Sequence, residues 1–317
     1  MTFSPTSLFG RLDDVQSDAG YAEDHPPRMG FFTDTSICIG CKACEVACKE
    51  WNMVPDDGFM LTGMSYDNSQ SLNASTWRHV AFIEKPVDVP VPAGSGPSPA
   101  ASGTDLGMPS VGVPQLPLIG DQEAPSGDGG IRWLMSSDVC KHCTHAGCLD
   151  NCPTGALFRT EFGTVVVQPD ICNGCGYCVP SCPYGVIDVR HDDGRAWKCT
   201  MCYDRLKVGE TPMCAKACPT ESIQFGELTE LRERADRRVE ELHAQGVEVA
   251  RLYGRDPEDG VGGDGAFFLL LDEPEVYGLP PDPIVTTRDL GSIWKHVGMA
   301  AGGMVALGVA SFFGRRK

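Results

Sequence analysis

The stretch CNGCGYCVPSCP, Cys172 to Pro183, spaces four cysteines as C-x2-C-x2-C-x3-C and follows the last with proline. The same spacing occurs in CIGCKACEVAC, which carries Cys38, Cys41, Cys44 and Cys48. Two looser runs join them. CKHCTHAGCLDNCP holds Cys140, Cys143, Cys148 and Cys152, and CTMCYDRLKVGETPMCAKACP holds Cys199, Cys202, Cys214 and Cys218. The four runs account for all 16 cysteines of the chain.

C-x2-C-x2-C-x3-C is the iron–sulfur run of bacterial ferredoxins. A cubane cluster needs four thiolates converging on a small object. Three cysteines at x2 spacing wrap a looping backbone around it, and Gly40, Gly174 and Gly176 suit the tight turns of such a loop. The fourth cysteine lies past a short helical turn and faces away, so it serves the other cluster of a two-cluster pair. Proline after Cys152, Cys182 and Cys218 keeps the chain from simply continuing a helix, whereas Cys48 is followed by Lys49. Sixteen thiolates make ligands for four [4Fe–4S] clusters, and the chain reads as an electron wire.

Other cysteine chemistries fit less well. A disulfide framework belongs to small secreted chains, and 317 residues build a core without staples. Structural zinc pairs two C-x2-C knuckles and needs no third cysteine at x2. A redox C-x-x-C would not recur so often along one chain.

The formal net charge of −17 argues against nucleic acid, whose phosphates need a basic surface. A solvated acidic surface accounts for most of it. Free thiolates and oxygen-sensitive clusters imply assembly in a reducing compartment. The first thirty residues show no basic n-region, apolar h-region or twin arginine, and are expected to form an irregular arm.

The expected fold is α+β: two ferredoxin-like [4Fe–4S] subdomains with a C-terminal transmembrane helix. The expected divisions are an N-terminal arm at 1–30 and a first subdomain split between 31–85 and 195–226. A Pro/Gly-rich insertion fills 86–130, and the second subdomain spans 131–194. A C-terminal segment covers 227–290, and an anchor helix with a basic tail covers 291–317. Strands are expected at 77–85, 131–135, 164–169, 186–190 and 267–272. The stretch 228–245 predicts an amphipathic helix with Leu228, Leu231, Ala235, Val239 and Leu242 on one face and Gly246 at its C-terminal cap.

VGMAAGGMVALGVASFF at 297–313 is uncharged and apolar, and Gly314, Arg315, Arg316 and Lys317 follow. Its helical reach is about 25 Å, the lower limit for a bilayer. Gly298, Gly302, Ala306 and Ala310 form the small-residue stripe a membrane helix uses to approach another. Trp294 and Lys295 sit where an interfacial anchor belongs. The terminal basic run points to a cytoplasmic C-terminus with the cluster-bearing head on the opposite, extracytoplasmic face, although Arg288 and Lys295 flank the other end. A buried soluble helix is the competing reading.

CIGCKACEVACKEWN, CKHCTHAGCLDNCP, CNGCGYCVPSCPYGV and KCTMCYDRLKVGETPMCAKACP together resemble the four-cluster iron–sulfur (beta) subunits of membrane-bound formate dehydrogenases. GVGGDGAFFLLLDEPEVYGLPPDP, followed by IWK and one apolar helix, resembles the C-terminal anchor of those subunits. The likeness covers about residues 30–310; the arm and the insertion depart from it. Related four-motif subunits serve molybdenum enzymes acting on dimethyl sulfoxide, polysulfide, tetrathionate and nitrate, and some membrane hydrogenases. Cys175 stands where the nitrate type has tryptophan, and the dimethyl sulfoxide type usually lacks the tail. The hydrogenase type or another molybdopterin oxidoreductase remains the alternative, with a standalone soluble polyferredoxin as the alternative of another class.

The resemblance implies interleaved ligand sets. Cys38, Cys41, Cys44 and Cys218 would hold one cluster, and Cys48, Cys199, Cys202 and Cys214 its neighbour. Cys140, Cys143, Cys148 and Cys182 would hold the third, and Cys152, Cys172, Cys175 and Cys178 the fourth. It also implies a molybdenum- or tungsten-pterin catalytic subunit as electron donor, and a membrane cytochrome b and quinone as acceptors. The chain itself shows no catalytic constellation and is read as a non-catalytic subunit without a substrate site. Lys198, Arg205 and Lys216 could raise the potentials of nearby clusters, but surface cations are the commoner case and they are read as such. His142 and His145 are read as supporting or solvent-facing groups rather than ligands, and Tyr177, Tyr184 and Trp197 as packing around the clusters.

Overall fold

The computed structural model describes residues 26–58, 69–86 and 131–314. Most of the arm and, apart from Pro86, the whole insertion lie outside the described residues.

Strand β1 (Met29–Asp34) begins two residues inside the stretch expected as an arm. It pairs antiparallel with β8 (Ile223–Glu227), with Phe31 opposite Phe225. β1 directly precedes the first cysteine run and β8 directly follows the fourth. This pairing therefore brings together two motifs that lie more than a hundred residues apart in sequence. The helices of those motifs, α1 (Ala43–Trp51) and α4 (Met213–Lys216), pack against each other.

On its other edge β1 runs parallel to β10 (Ala266–Leu270), and β10 pairs antiparallel with β9 (Arg251–Tyr253). The sheet order is β8-β1-β10-β9. Alternation along the strands sorts side chains to opposite faces. Phe31, Ala266, Phe268 and Leu270 join the core that contains the cysteines of the first, second and fourth motifs. Phe32, Phe267 and Leu269 face the other way and meet Leu228, Leu231, Ala235 and Leu242 of α5 (Leu228–Ala244). Every residue of β10 is buried because both faces are covered, which is why this stretch reads as a continuous apolar run.

The expected periodicity of α5 holds, with Val239 partly buried at the rim of the same face. Its end is a Schellman turn: Gly246 N–H donates to His243 O at 2.9 Å and Val247 N–H to Leu242 O at 2.9 Å. Arg238 reaches from α5 to Asp34 (2.9 Å) and Ser36 (3.2 Å), tying the helix to the 3-10 turn Thr35–Ile37 that leads into Cys38.

Three further antiparallel pairs form among the described residues. β2 (Arg78–Pro86) pairs along its full length with β3 (Ile131–Val139), so the strand expected at 131–135 extends to the edge of Cys140. β4 (Leu157–Arg159) pairs with β5 (Val165–Val167) between the second and third motifs. β6 (Asp188–Val189) pairs with β7 (Ala196–Trp197) between the third and fourth. The short helices α2 (Gly147–Asp150) and α3 (Tyr203–Leu206) lie inside the second and fourth motifs.

Helix α6 (Leu290–Gly314) has 25 residues, and starts seven residues before the apolar stretch read from sequence. Trp294 and Lys295 thus lie within its first two turns. Its length is about 37 Å at about 1.5 Å per residue, more than a hydrocarbon core of about 30 Å requires. The most apolar 18-residue window within residues 290–313 has mean hydropathy 1.5, and none of that window is buried within the chain. A core helix of a soluble protein would be covered; from Val297 to Phe313 α6 carries no charged residue and is bare, as a bilayer-spanning helix is.

Phe32 and Phe267 stack at 5.3 Å with no exposed surface, at the centre of the α5 face. Phe267→Ala is expected to lower stability by about 3–5 kcal/mol, read as a fall in the thermal denaturation midpoint of the iron-loaded protein.

Candidate iron–sulfur centres

Three cavities among the described residues are each lined by four cysteines drawn from more than one run. One cavity is lined by Cys38, Cys41, Cys44 and Cys218. A second is lined by Cys140, Cys143, Cys148 and Cys182, and a third by Cys152, Cys172, Cys175 and Cys178. Among the described residues no three His, Cys, Asp or Glu side chains converge closely enough for a single metal ion. The donor set, four sulfurs around an apolar hollow, fits an iron–sulfur cluster better than zinc.

The remaining four cysteines also gather. Asn52 donates one amide to Cys48 Sγ (3.7 Å) and Cys202 Sγ (3.8 Å). Cys48 has Cys199, Cys214 and Cys202 as electrostatic neighbours. The helices explain the crossing. Cys44 and Cys48 sit one turn apart on α1, so one helix serves two adjacent sites. Cys214 on α4 and Cys218 just beyond it do the reverse.

Nine of the thiols, Cys38, Cys44, Cys48, Cys143, Cys148, Cys178, Cys182, Cys199 and Cys202, are raised above their ordinary range, and burial is the largest cause at each. It pushes Cys44 and Cys178 up to about 11 and Cys148 and Cys199 up to about 12, and holds Cys48 and Cys143 well above the ordinary thiol range. Smaller contributions come from thiols of the adjoining groups. Across the first junction Cys214 raises Cys44, across the second Cys140 raises Cys199, and across the third Cys178 raises Cys148. Such thiols keep their protons unless a cation takes their place, so iron binding at these positions releases protons.

The cysteine loops share a backbone feature. The residue just before the second cysteine has positive φ in every motif: Gly40 (65°), His142 (46°), Gly174 (72°) and Met201 (55°). This turns successive amides toward the sulfurs; Met201 N–H, for example, donates to Cys199 Sγ at 3.3 Å. The glycines were legible in the sequence. His142 and Met201 were not, although both occupy the position equivalent to Gly40 and Gly174. Both side chains are buried, and His142 Nδ1 accepts from Val165 N–H at 3.1 Å. Burial holds the His142 pKa well below its ordinary value, aided by Lys198 and Arg159, so the ring is neutral and free to accept.

Two of the three expected surface cations are buried. Lys198 is 1% exposed, and its ammonium donates to Cys140 Sγ (3.5 Å), Cys199 O (3.1 Å) and Val165 O. Arg205 is 4% exposed; it lies over the Trp51 ring and donates to Thr211 O at 2.7 Å, fastening the loop between Cys202 and Cys214. Lys216 is exposed, as expected. Sequence reading also passed over Arg78, fully buried, which donates to Cys214 Sγ at 3.3 Å. Trp197 stacks on Trp77 at 6.1 Å, and Tyr184 donates to Asp264 at 2.8 Å, both as packing groups. Tyr177 departs from that expectation, because its ring is 62% exposed. Burial pushes the Asp264 carboxyl up to about 8.

This α+β arrangement of converging cysteines defines an iron–sulfur protein. Residues 131–228 match the 4Fe-4S dicluster domain. The chain is 36% identical over 289 residues to the nitrate-inducible formate dehydrogenase iron–sulfur subunit of Escherichia coli, covering 89% of this chain and 83% of that one. It is also 36% identical over 304 residues to the formate dehydrogenase iron–sulfur subunit of Haemophilus influenzae, covering 93% and 83%. A more distant likeness, 29% over 208 residues, joins it to a subunit of the anaerobic dimethyl sulfoxide reductase of Escherichia coli, covering 65% and 77%. The chain belongs to the family of formate dehydrogenase iron–sulfur subunits.

Gly174 has left-handed backbone, and a Cβ there would run into Gly194 O. Gly174→Ala combines strain of about 1–3 kcal/mol with that clash. It is expected to cost the purified protein about four irons per chain, one [4Fe–4S] unit, as measured by iron analysis.

Proposed function

We propose that this chain is the electron-transfer subunit of a membrane-bound formate dehydrogenase. It would take electrons from a molybdopterin catalytic subunit (molybdenum or tungsten) and pass them toward a membrane cytochrome b and quinone. The observation that carries the reading is the row of four cysteine sets. The proposed ligands are Cys38, Cys41, Cys44 and Cys218; Cys48, Cys199, Cys202 and Cys214; Cys140, Cys143, Cys148 and Cys182; and Cys152, Cys172, Cys175 and Cys178. The family membership and the bare helix α6 support it.

Formate oxidation releases carbon dioxide, a proton and two electrons, whereas a haem accepts electrons singly. The bound clusters supply one-electron transfer. The protein's part is to fix their spacing, exclude water and set their potentials with amide donors and buried charge. The two split halves built from motifs one and four hold one pair of clusters, and motifs two and three hold the other. The chain has no substrate site of its own, so formate is oxidised in the partner. Helix α6 anchors the head, with the basic end at Arg315, Arg316 and Lys317 on the cytoplasmic side and the clusters on the extracytoplasmic face.

Gentle isolation from membranes through this chain tests the reading. The expected result is about sixteen irons per chain, molybdenum or tungsten in the complex, and formate-dependent dye reduction. Nickel with hydrogen-dependent reduction would replace formate by hydrogen as the electron source. Iron without a partner metal or membrane retention would leave a soluble ferredoxin. Removing residues 290–317 is expected to release the iron-loaded head from the membrane with its iron content unchanged, measured by fractionation and iron analysis.

A further inference from the structure

Arg78, Lys141 and Lys198 are the cations among the largest fully buried side chains. Lys141 is bonded to the Asp138 carboxylate, so its charge is locally balanced. Arg78 and Lys198 have no carboxylate partner among the described residues. Arg78 donates to Ser137 O (3.1 Å), Ser137 Oγ (3.3 Å) and Cys214 Sγ (3.3 Å) and lies over the Phe31 ring. Lys198 donates to two carbonyls and one sulfur; three acceptors are what an ammonium, with three protons, requires. An unpaired buried cation is costly, so the balancing charge must come from what it touches.

What these cations touch are the junctions between cysteine sets. Arg78 contacts Cys214 directly. Through the Ser137 hydroxyl, 3.2 Å from Cys44 Sγ, it also reaches the set of Cys38, Cys41, Cys44 and Cys218. Lys198 bonds Cys140 of the third set and the Cys199 carbonyl of the second. The second set, Cys48, Cys199, Cys202 and Cys214, is therefore flanked by both cations. The set of Cys152, Cys172, Cys175 and Cys178 has neither as a partner. A reduced cluster carries one more negative charge than an oxidised one, so a nearby cation in a low-dielectric interior favours reduction.

We infer that Arg78 and Lys198 set the potential profile of the wire, each raising the reduction potentials of the clusters on either side of it. The second cluster is raised twice and the fourth is not raised. The inference rests on the proposed ligand sets and adds an order of potentials along them.

The test is redox titration of the clusters, followed by electron paramagnetic resonance, in the purified complex with Arg78→Met or Lys198→Met in this chain. Each variant is expected to lower two of the four midpoint potentials. One cluster falls in both variants and one in neither, a signature that needs no prior assignment of signals. Arg78→Lys and Lys198→Arg, which keep the charge, are expected to restore the parent values. Unchanged potentials at full iron content would overturn the inference. So would charge-keeping variants that shift as far as the methionine ones, or loss of iron with the surviving clusters unmoved. Parent protein with fewer than four clusters would instead contradict the ligand sets on which the inference stands.

Discussion

The interior of this protein is built around sulfur that is unfavourable to ionise. Burial pushes most of the cysteine thiols above their ordinary range, and neighbouring thiols push them further. Four such sulfurs facing one hollow stay protonated until positive charge takes the place of the protons. Iron loading is therefore coupled to proton release: the metal neutralises the thiolates, and the closed chain keeps water from the metal. Arg78 and Lys198 belong to the same balance, as cations held at the seams between sulfur sets rather than at the surface.

That constraint explains the topology. A motif at Cys38 and another at Cys199 can share two adjacent sites only if the chain returns to its start. The β1–β8 pairing does this, and β10 locks it by adding a parallel strand on the opposite edge. The resulting sheet separates two environments. One face meets the cysteine core, and the other packs on α5, which contributes ordinary apolar burial and an ion pair from Arg238 to Asp34 at the entrance of the first motif. Electron transfer needs fixed distances between sites, and a sheet held from both sides supplies a rigid frame for them.

Much of this was legible in the sequence because the signals are local. The cysteine spacings, the apolar stripe of α5, the continuous apolar run of β10 and the uncharged tail each follow from a short-range period. What escaped depends on distant partners. Lys198 and Arg205 read as surface groups from their charge alone; only tertiary packing, of Arg205 over Trp51 and of Lys198 against Cys140, buries them. Arg78 opens a strand far from any motif, and nothing near it signals that it will touch Cys214. The left-handed backbone at His142 and Met201 was hidden because propensity assigns that conformation to glycine. The parallel pairing of β1 with β10 joins segments more than two hundred residues apart, beyond the reach of any local pattern.

The most direct measurement is an anomalous-difference map at the iron edge from crystals of the membrane complex. The account predicts four iron peaks in a row within this chain. The first lies among Cys38, Cys41, Cys44 and Cys218, with Arg78 and then Lys198 at the next two junctions. Peaks centred on sequential runs, such as Cys38, Cys41, Cys44 and Cys48 around one site, would contradict it.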